Sequence, residues 1–187
     1  MRIAILGTFD LQNYGDLLFP LLARHELGKR FDELELLPSS YHAKEKPAWP
    51  YRVYSIQELP DRLGALDGVI VGGGHLVRFD PEVAAGYAPP PGIDHPTGLW
   101  LMPALLAAAS GLPVVWNGIG TSPHVDEWAA PLLRATLEST ALVSVGDSAS
   151  QATLRAIALS ASLQRACGAL FPHPWEALRR LLRRRGG

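Results

Sequence analysis

Short apolar runs separated by amphipathic and turn-rich stretches set the rhythm of this chain. Ile3, Ala4, Ile5 and Leu6 follow one another without polar alternation and stop at Gly7, which predicts a strand over Arg2–Leu6 buried on both faces of a parallel sheet. Thr8 to Tyr14 is polar and reads as a loop; Gly15 and Asp16 then open a helix reaching about Lys29, with Leu17, Leu18, Leu21, Leu22 and His25 spaced for one face. A second strand is expected over Glu33–Leu37, a loop over Ser39–Trp49 bounded by Pro38 and Pro50, and a short strand over Tyr51–Ser55. Ile56–Leu66 suits a modest helix with Pro60 in its first turn. Val69, Ile70 and Val71 form the next buried strand, and Gly72, Gly73 and Gly74 end it abruptly.

Asp80 to Pro96 carries Pro81, Pro89, Pro90, Pro91 and Pro96, a density that excludes regular structure and suits a binding loop. An apolar helix is predicted from Thr97 to Ser110 and closed by Gly111, followed by a strand over Leu112–Asn117 that ends in Gly118-Ile119-Gly120. Val125–Ser139 reads as helix, Ala141–Val145 as strand, and Asp147 and Ser148 start a helix running to about Leu159. Leaving aside the short stretch at Tyr51–Ser55, five strands separated by helices predict an α/β fold with a doubly wound, mostly parallel sheet. The domain is expected to cover residues 1–160, with residues 161–187 an extension holding a short basic helix at Trp175–Arg185.

Right-handed crossovers bring the carboxyl ends of all the strands to one rim, where open α/β sheets bind ligands. That rim collects Thr8, Asn13, Gly15 and Asp16 from the first strand and Gly72, Gly73, Gly74, His75 and Arg78 from the third. Asn117, Gly118 and Gly120 come from the fourth, and Asp147 and Ser150 from the fifth. Glycine turns ahead of helix N-termini offer backbone N–H groups and a positive dipole end, so the expected ligand is a small anion. The first turn, Gly7-Thr8-Phe9-Asp10-Leu11, lacks the G-x-G-x-x-G pattern of dinucleotide sites, and no G-x-x-x-x-G-K-[ST] occurs anywhere.

Charge narrows the partners. A net charge of −1 gives no electrostatic case for nucleic acid. The balance is uneven, because Arg179, Arg180, Arg183, Arg184 and Arg185 leave 12 basic against 18 acidic side chains in residues 1–178. Such a tail is accounted for as a solvated helix end, its cations near the negative pole of the dipole; holding a chain on anionic lipid needs more charge than this. Cys167 is the only cysteine, which excludes an internal disulfide and suits a reducing compartment. Met1-Arg2 leads directly into the first strand without a signal-peptide core, and the apolar stretch Leu99–Ala109 is too short to span a bilayer. The expected location is the cytoplasm, at most peripheral to a membrane. His25, His42, His75, His95, His124 and His173 show no close ligand spacing on one predicted helix, so no metal site is called.

Four segments in order carry a family resemblance. Asn13-Tyr14-Gly15-Asp16 resembles the N-x-G-D motif of the polysaccharide pyruvyl transferase family, and Asp67–Gly74 resembles its second motif, an acid, a buried strand and three glycines. Val114–Gly120, VVWNGIG, resembles its strand ending in G-x-G, and Val143–Ser150, VSVGDSAS, its S-V-R-D-x-x-S segment. The resemblance spans roughly residues 1–158 and implies one Rossmann-like half of a two-domain, glycosyltransferase-type fold. It implies transfer of pyruvate from phosphoenolpyruvate to a sugar as a ketal in cell-surface polysaccharide synthesis. No cofactor beyond that donor is implied, and the acceptor is a saccharide or a lipid-linked saccharide. On this reading the glycine turns hold phosphate and carboxylate, Arg78 is a bidentate anion partner, and Asp16 or His75 moves protons.

Two departures qualify what the resemblance implies. Gly146 stands where the family has arginine before Asp147, and the second half of the fold is not expected within 187 residues. Three readings follow: a pyruvyl transferase or its donor-binding half, a nucleotide-sugar-dependent glycosyltransferase-like protein, and a non-catalytic interaction domain. If a facing wall is missing, the surfaces toward it should be apolar enough to favour self-association or a partner chain that completes the cleft.

Overall fold

The computed structural model describes residues 1–79 and 96–158. Six strands are formed: β1 (Arg2–Leu6), β2 (Glu35–Ser40), β3 (Tyr54–Ser55), β4 (Gly68–Gly72), β5 (Val114–Ile119) and β6 (Leu142–Val145). Between and after them lie α1 (Tyr14–Gly28), α2 (Leu59–Arg62), α3 (Leu101–Ser110), α4 (Ala130–Ser139) and α5 (Ser148–Ile157). The strands make one sheet in the order β3-β2-β1-β4-β5-β6, with every neighbouring pair parallel. This is the doubly wound, Rossmann-like arrangement, and its order reverses between β1 and β4.

Both faces of the sheet are covered, which is why β1 and β4 read as unbroken apolar runs. Ile3, Ile5, Ile70 and Val115 pack with Phe9 and with Ala23 and Leu27 of α1. Ala4, Leu6, Val69, Val71, Val114 and Trp116 face the other way, against Ala107 of α3 and Leu133 and Leu137 of α4. Trp100 and Trp116 meet edge to face at 6.0 Å within this second layer. Local signals close the helices: Gly111 takes a φ of 64° at the end of α3, and Asp147 caps α5.

Several expectations are corrected. The inward face of α1 is Asp16, Pro20, Ala23 and Leu27, whereas Leu21 and Leu22 are 44% and 53% exposed. Phe19 and Asp16 rest on the glycines after β4, which pins the rotation of the helix and turns the predicted stripe outward. Strand β2 continues through Pro38 to Ser40; β3 pairs only with Ser39 and Ser40, so the missing N–H of Pro38 faces an unpaired edge. Ile56–Ala65 is three short helical turns instead of one helix, and Val125–Ala129 precedes α4, which starts at Ala130. Strand β5 runs on through Gly118, whose φ of 65° accompanies a break in register with β6.

The proline-rich stretch up to His95, the boundary at residue 160, Cys167, and the basic helix at Trp175–Arg185 lie outside the described residues. Among the described residues no helix is long and apolar enough to cross a membrane.

Candidate functional site

The reversal of strand order puts a crevice at the carboxyl ends of β1 and β4, and the β1–α1 loop builds its floor. Gly7 ends β1, Phe9 is fully buried, and the residues on either side of Phe9 reach to opposite flanks. On the β4 flank the Thr8 hydroxyl donates to Asp16 Oδ2 at 2.6 Å. Asn13 caps α1, its Oδ1 accepting the Gly15 N–H at 3.0 Å, and this sets Asp16 in the first turn, facing inward. Asp16 is only 9% exposed. Burial raises the proton affinity of its carboxyl, and the Thr8 hydrogen bond opposes that rise.

The glycine turn after β4 is shaped around that carboxyl. Gly74 has a φ of 81°, and a Cβ on it would lie 2.6 Å from Asp16 Oδ1. Conformation and space both demand glycine there. The Gly74 carbonyl accepts the Gly120 N–H at 3.0 Å, and the Gly120 carbonyl accepts the Val77 N–H at 3.1 Å, stitching this turn to the end of β5. A Cβ on Gly120 would meet His75 Nδ1 at 2.7 Å, so the imidazole lies against that backbone. Asn117 is buried and pairs in register with Gly72, while Gly118 is exposed beside it. Arg78 follows on the same segment, half-buried, its backbone N–H donating to the Leu76 carbonyl at 3.0 Å.

A second aspartate marks the start of α5. Asp147 accepts the Ser150 N–H and the Ser150 hydroxyl, each at 2.7 Å, and the Ser150 Oγ accepts the Thr121 N–H at 3.0 Å. These Ser150 bonds, backbone first, hold the Asp147 carboxyl below its usual range, with smaller help from the Ala149 N–H and the charge of His75. Ser150 is 1% exposed with its hydroxyl donating and accepting within the fold. It therefore positions Asp147. Gly146, just before it, is exposed, and an added Cβ would come no nearer than 3.4 Å, to the Gly118 carbonyl, so the backbone there accepts a Cβ in ordinary contact.

The structure thus gathers Thr8, Asn13, Gly15, Asp16, Gly72, Gly73 and Gly74 at the β1–β4 crevice. His75, Asn117, Gly118, Gly120, Asp147 and Ser150 continue the same rim across β5 and β6. Sequence reasoning missed Asp10, Ser40 and His42 on the β2 flank, where the Asp10 carboxylate joins the other two. Their one signal was an acid three residues beyond the strand-ending Gly7. Among the described residues no group of three His, Cys, Asp or Glu side chains converges as a metal-ligand set.

A family model described as polysaccharide pyruvyl transferase matches residues 13–183. Comparison with curated proteins finds no match.

Proposed function

The chain belongs to the polysaccharide pyruvyl transferase family, and on that premise we propose that its β1–β4 crevice binds phosphoenolpyruvate and transfers pyruvate to a sugar as a ketal. One observation carries the reading. Asp16 is a buried carboxyl of raised proton affinity held against a glycine turn at the topological switch point. A charged carboxylate repels a phosphorylated carboxylic acid, so burial and an anionic ligand both shift this carboxyl toward its protonated form, the form that delivers a proton.

Ketal formation adds one proton to C3 of the donor, joins two sugar oxygens to C2 and expels phosphate. Asp16 supplies the C3 proton. Each sugar oxygen loses its proton as it bonds C2; one of these two protons replaces the one Asp16 gave to C3, and the other goes to phosphate. Backbone N–H groups at the exposed Gly74 and Gly118 bind the donor's anionic ends, with Arg78 as a bidentate partner, while the Gly120 N–H stays on the Gly74 carbonyl and holds the two turns together. His75, lying between Gly120 and Asp147, is the second group available to move a proton. The acceptor is a saccharide, free or lipid-linked, of the kind used in cell-surface polysaccharide, and the reaction takes place in the cytoplasm.

Ligand-observed NMR with phosphoenolpyruvate tests the reading, with Gly146→Arg and a uridine diphosphate sugar alongside. Saturable binding of phosphoenolpyruvate that Arg78→Ala abolishes is the expected result. Binding by Gly146→Arg alone would mark a site that has lost its arginine, binding of the nucleotide sugar alone a glycosyltransferase-like protein, and no binding by either protein a non-catalytic interaction domain.

A further inference from the structure

The β2 flank of the rim holds a second polar cluster, built at least as carefully as the one around Asp16. The Asp10 side chain is fully buried, and a buried carboxylate is costly unless donors surround it. Three are present: the Ser40 hydroxyl at 2.5 Å on Oδ1, and the His42 backbone N–H at 3.0 Å and His42 Nδ1 at 2.8 Å on Oδ2. Ser40, itself fully buried, and the His42 backbone already satisfy both oxygens and already tie the end of β2 to the β1–α1 loop. The imidazole bond is additional. It belongs to a ring left 43% exposed, which a mere tether does not require.

Orientation follows from the chemistry of the partner. A carboxylate accepts, so Nδ1 carries the proton and donates, and proton exchange at this imidazole runs through Nε2. Position follows from register. Ser39, Leu6, Val71 and Trp116 form one row across the sheet, and the next step toward the rim brings Ser40, Gly7, Gly72 and Asn117 into line. Ser40 is therefore two strands from Gly72, about 10 Å at ordinary strand spacing. A donor anchored at the glycine turn by its phosphate, with the attacking hydroxyl beyond its C2 and a base in hydrogen-bond reach of that hydroxyl, spans a distance of that order.

We propose that His42 is the base that takes the acceptor's hydroxyl proton, with Asp10 as the positioning residue that fixes its tautomer. This rests on the phosphoenolpyruvate reading above. As the sugar O–H bond breaks, the proton passes to His42 Nε2 and the oxygen bonds C2 of the donor; the proton leaves again with the departing phosphate.

The test uses the full chain and reads phosphate release from phosphoenolpyruvate with methyl β-galactopyranoside, methyl β-glucopyranoside and methyl α-mannopyranoside as acceptor probes. His42→Gln should lower glycoside-stimulated release about 100-fold while phosphoenolpyruvate still binds, and added imidazole should restore release to His42→Ala. Asp10→Ala, which removes the acceptor, should release His42 from the Nδ1–H tautomer in long-range proton–nitrogen spectra and lower release with it. If the donor binds but His42→Gln releases phosphate as the parent does, or imidazole fails to rescue His42→Ala, the proposal is overturned and the donor site stands. Donor binding without release by any probe also overturns it, because no transfer remains for His42 to serve. A parent chain that binds no phosphoenolpyruvate instead removes the reading on which it rests.

Discussion

The starts of α1 and α5 share one rim and one recipe, an aspartate in hydrogen-bond contact with a hydroxyl, yet they treat a proton in opposite ways. Asp16 is pressed inward against Gly74 with the Thr8 hydroxyl as a donor, and burial raises its proton affinity. Asp147 is exposed, accepts two bonds from Ser150, and is held below its usual range. Environment, not residue type, sets the direction: the first binds its proton more tightly than an ordinary aspartate and the second less tightly. Pairs of acids pushed apart in this way are how one site divides acid from base work.

The largest effect expected from disturbing that contrast is on chemistry. Asp16→Asn should lower ketal formation from phosphoenolpyruvate by about 100-fold or more, read as phosphate release, since the amide keeps the shape but has no proton to give. The same substitution keeps the buried shape while removing the titrating group and should not lower stability at neutral pH, so urea denaturation separates lost chemistry from lost fold. Next is space. Gly74→Ala forces a Cβ onto Asp16 Oδ1 in a left-handed conformation and should cost about 2 kcal/mol, whereas Gly146→Ala, near Asp147, should stay within about 0.5 kcal/mol.

Hydrogen bonds come third. Ser150→Ala leaves the Thr121 N–H without its acceptor and should cost about 1–2 kcal/mol by denaturation, with the Asp147 titration moving upward in carbon-detected NMR. Thr8→Val should cost about 1 kcal/mol or less and push Asp16 further up. The smallest effects lie in the pH dependence of stability. Asp16 binds its proton more tightly when folded, so its contribution is present below the ordinary value of 3.8 and is lost as pH rises through the raised value. Asp147 contributes above 3.8, and that contribution is lost as pH falls through its depressed value. Urea midpoints across the acidic range should therefore lose their alkaline-side decline in Asp16→Asn and soften their acid-side decline in Asp147→Asn.

What the sequence made legible was whatever a local signal encodes. β1 and β4 are apolar runs stopped by glycine, α3 ends on Gly111, and α5 begins on Asp147; each is readable within a few residues. The rotation of α1 was not, because Leu17, Leu18, Leu21 and Leu22 offer a better stripe than the face that tertiary contact with Gly72–Gly74 selects. Pro38 hid the end of β2, since proline is tolerated there only by virtue of an unpaired edge that appears once β3 is in place. For the same reason Asp10, Ser40 and His42 stayed apart in the sequence, 30 and 32 residues from contact to contact, and only the completed strand brings them together. The glycine-lined crevice was readable as a rim of turns, but the inward set of Asp16 was not.

Carbon-detected titration of the Asp16 and Asp147 carboxyls, with and without saturating phosphoenolpyruvate, tests the central claim most directly. The predicted result is a midpoint above 3.8 for Asp16 and below it for Asp147, with the ligand's negative charge moving Asp16 further up. Titration of both groups together at the ordinary value, or an Asp16 midpoint that ignores the ligand, would contradict it.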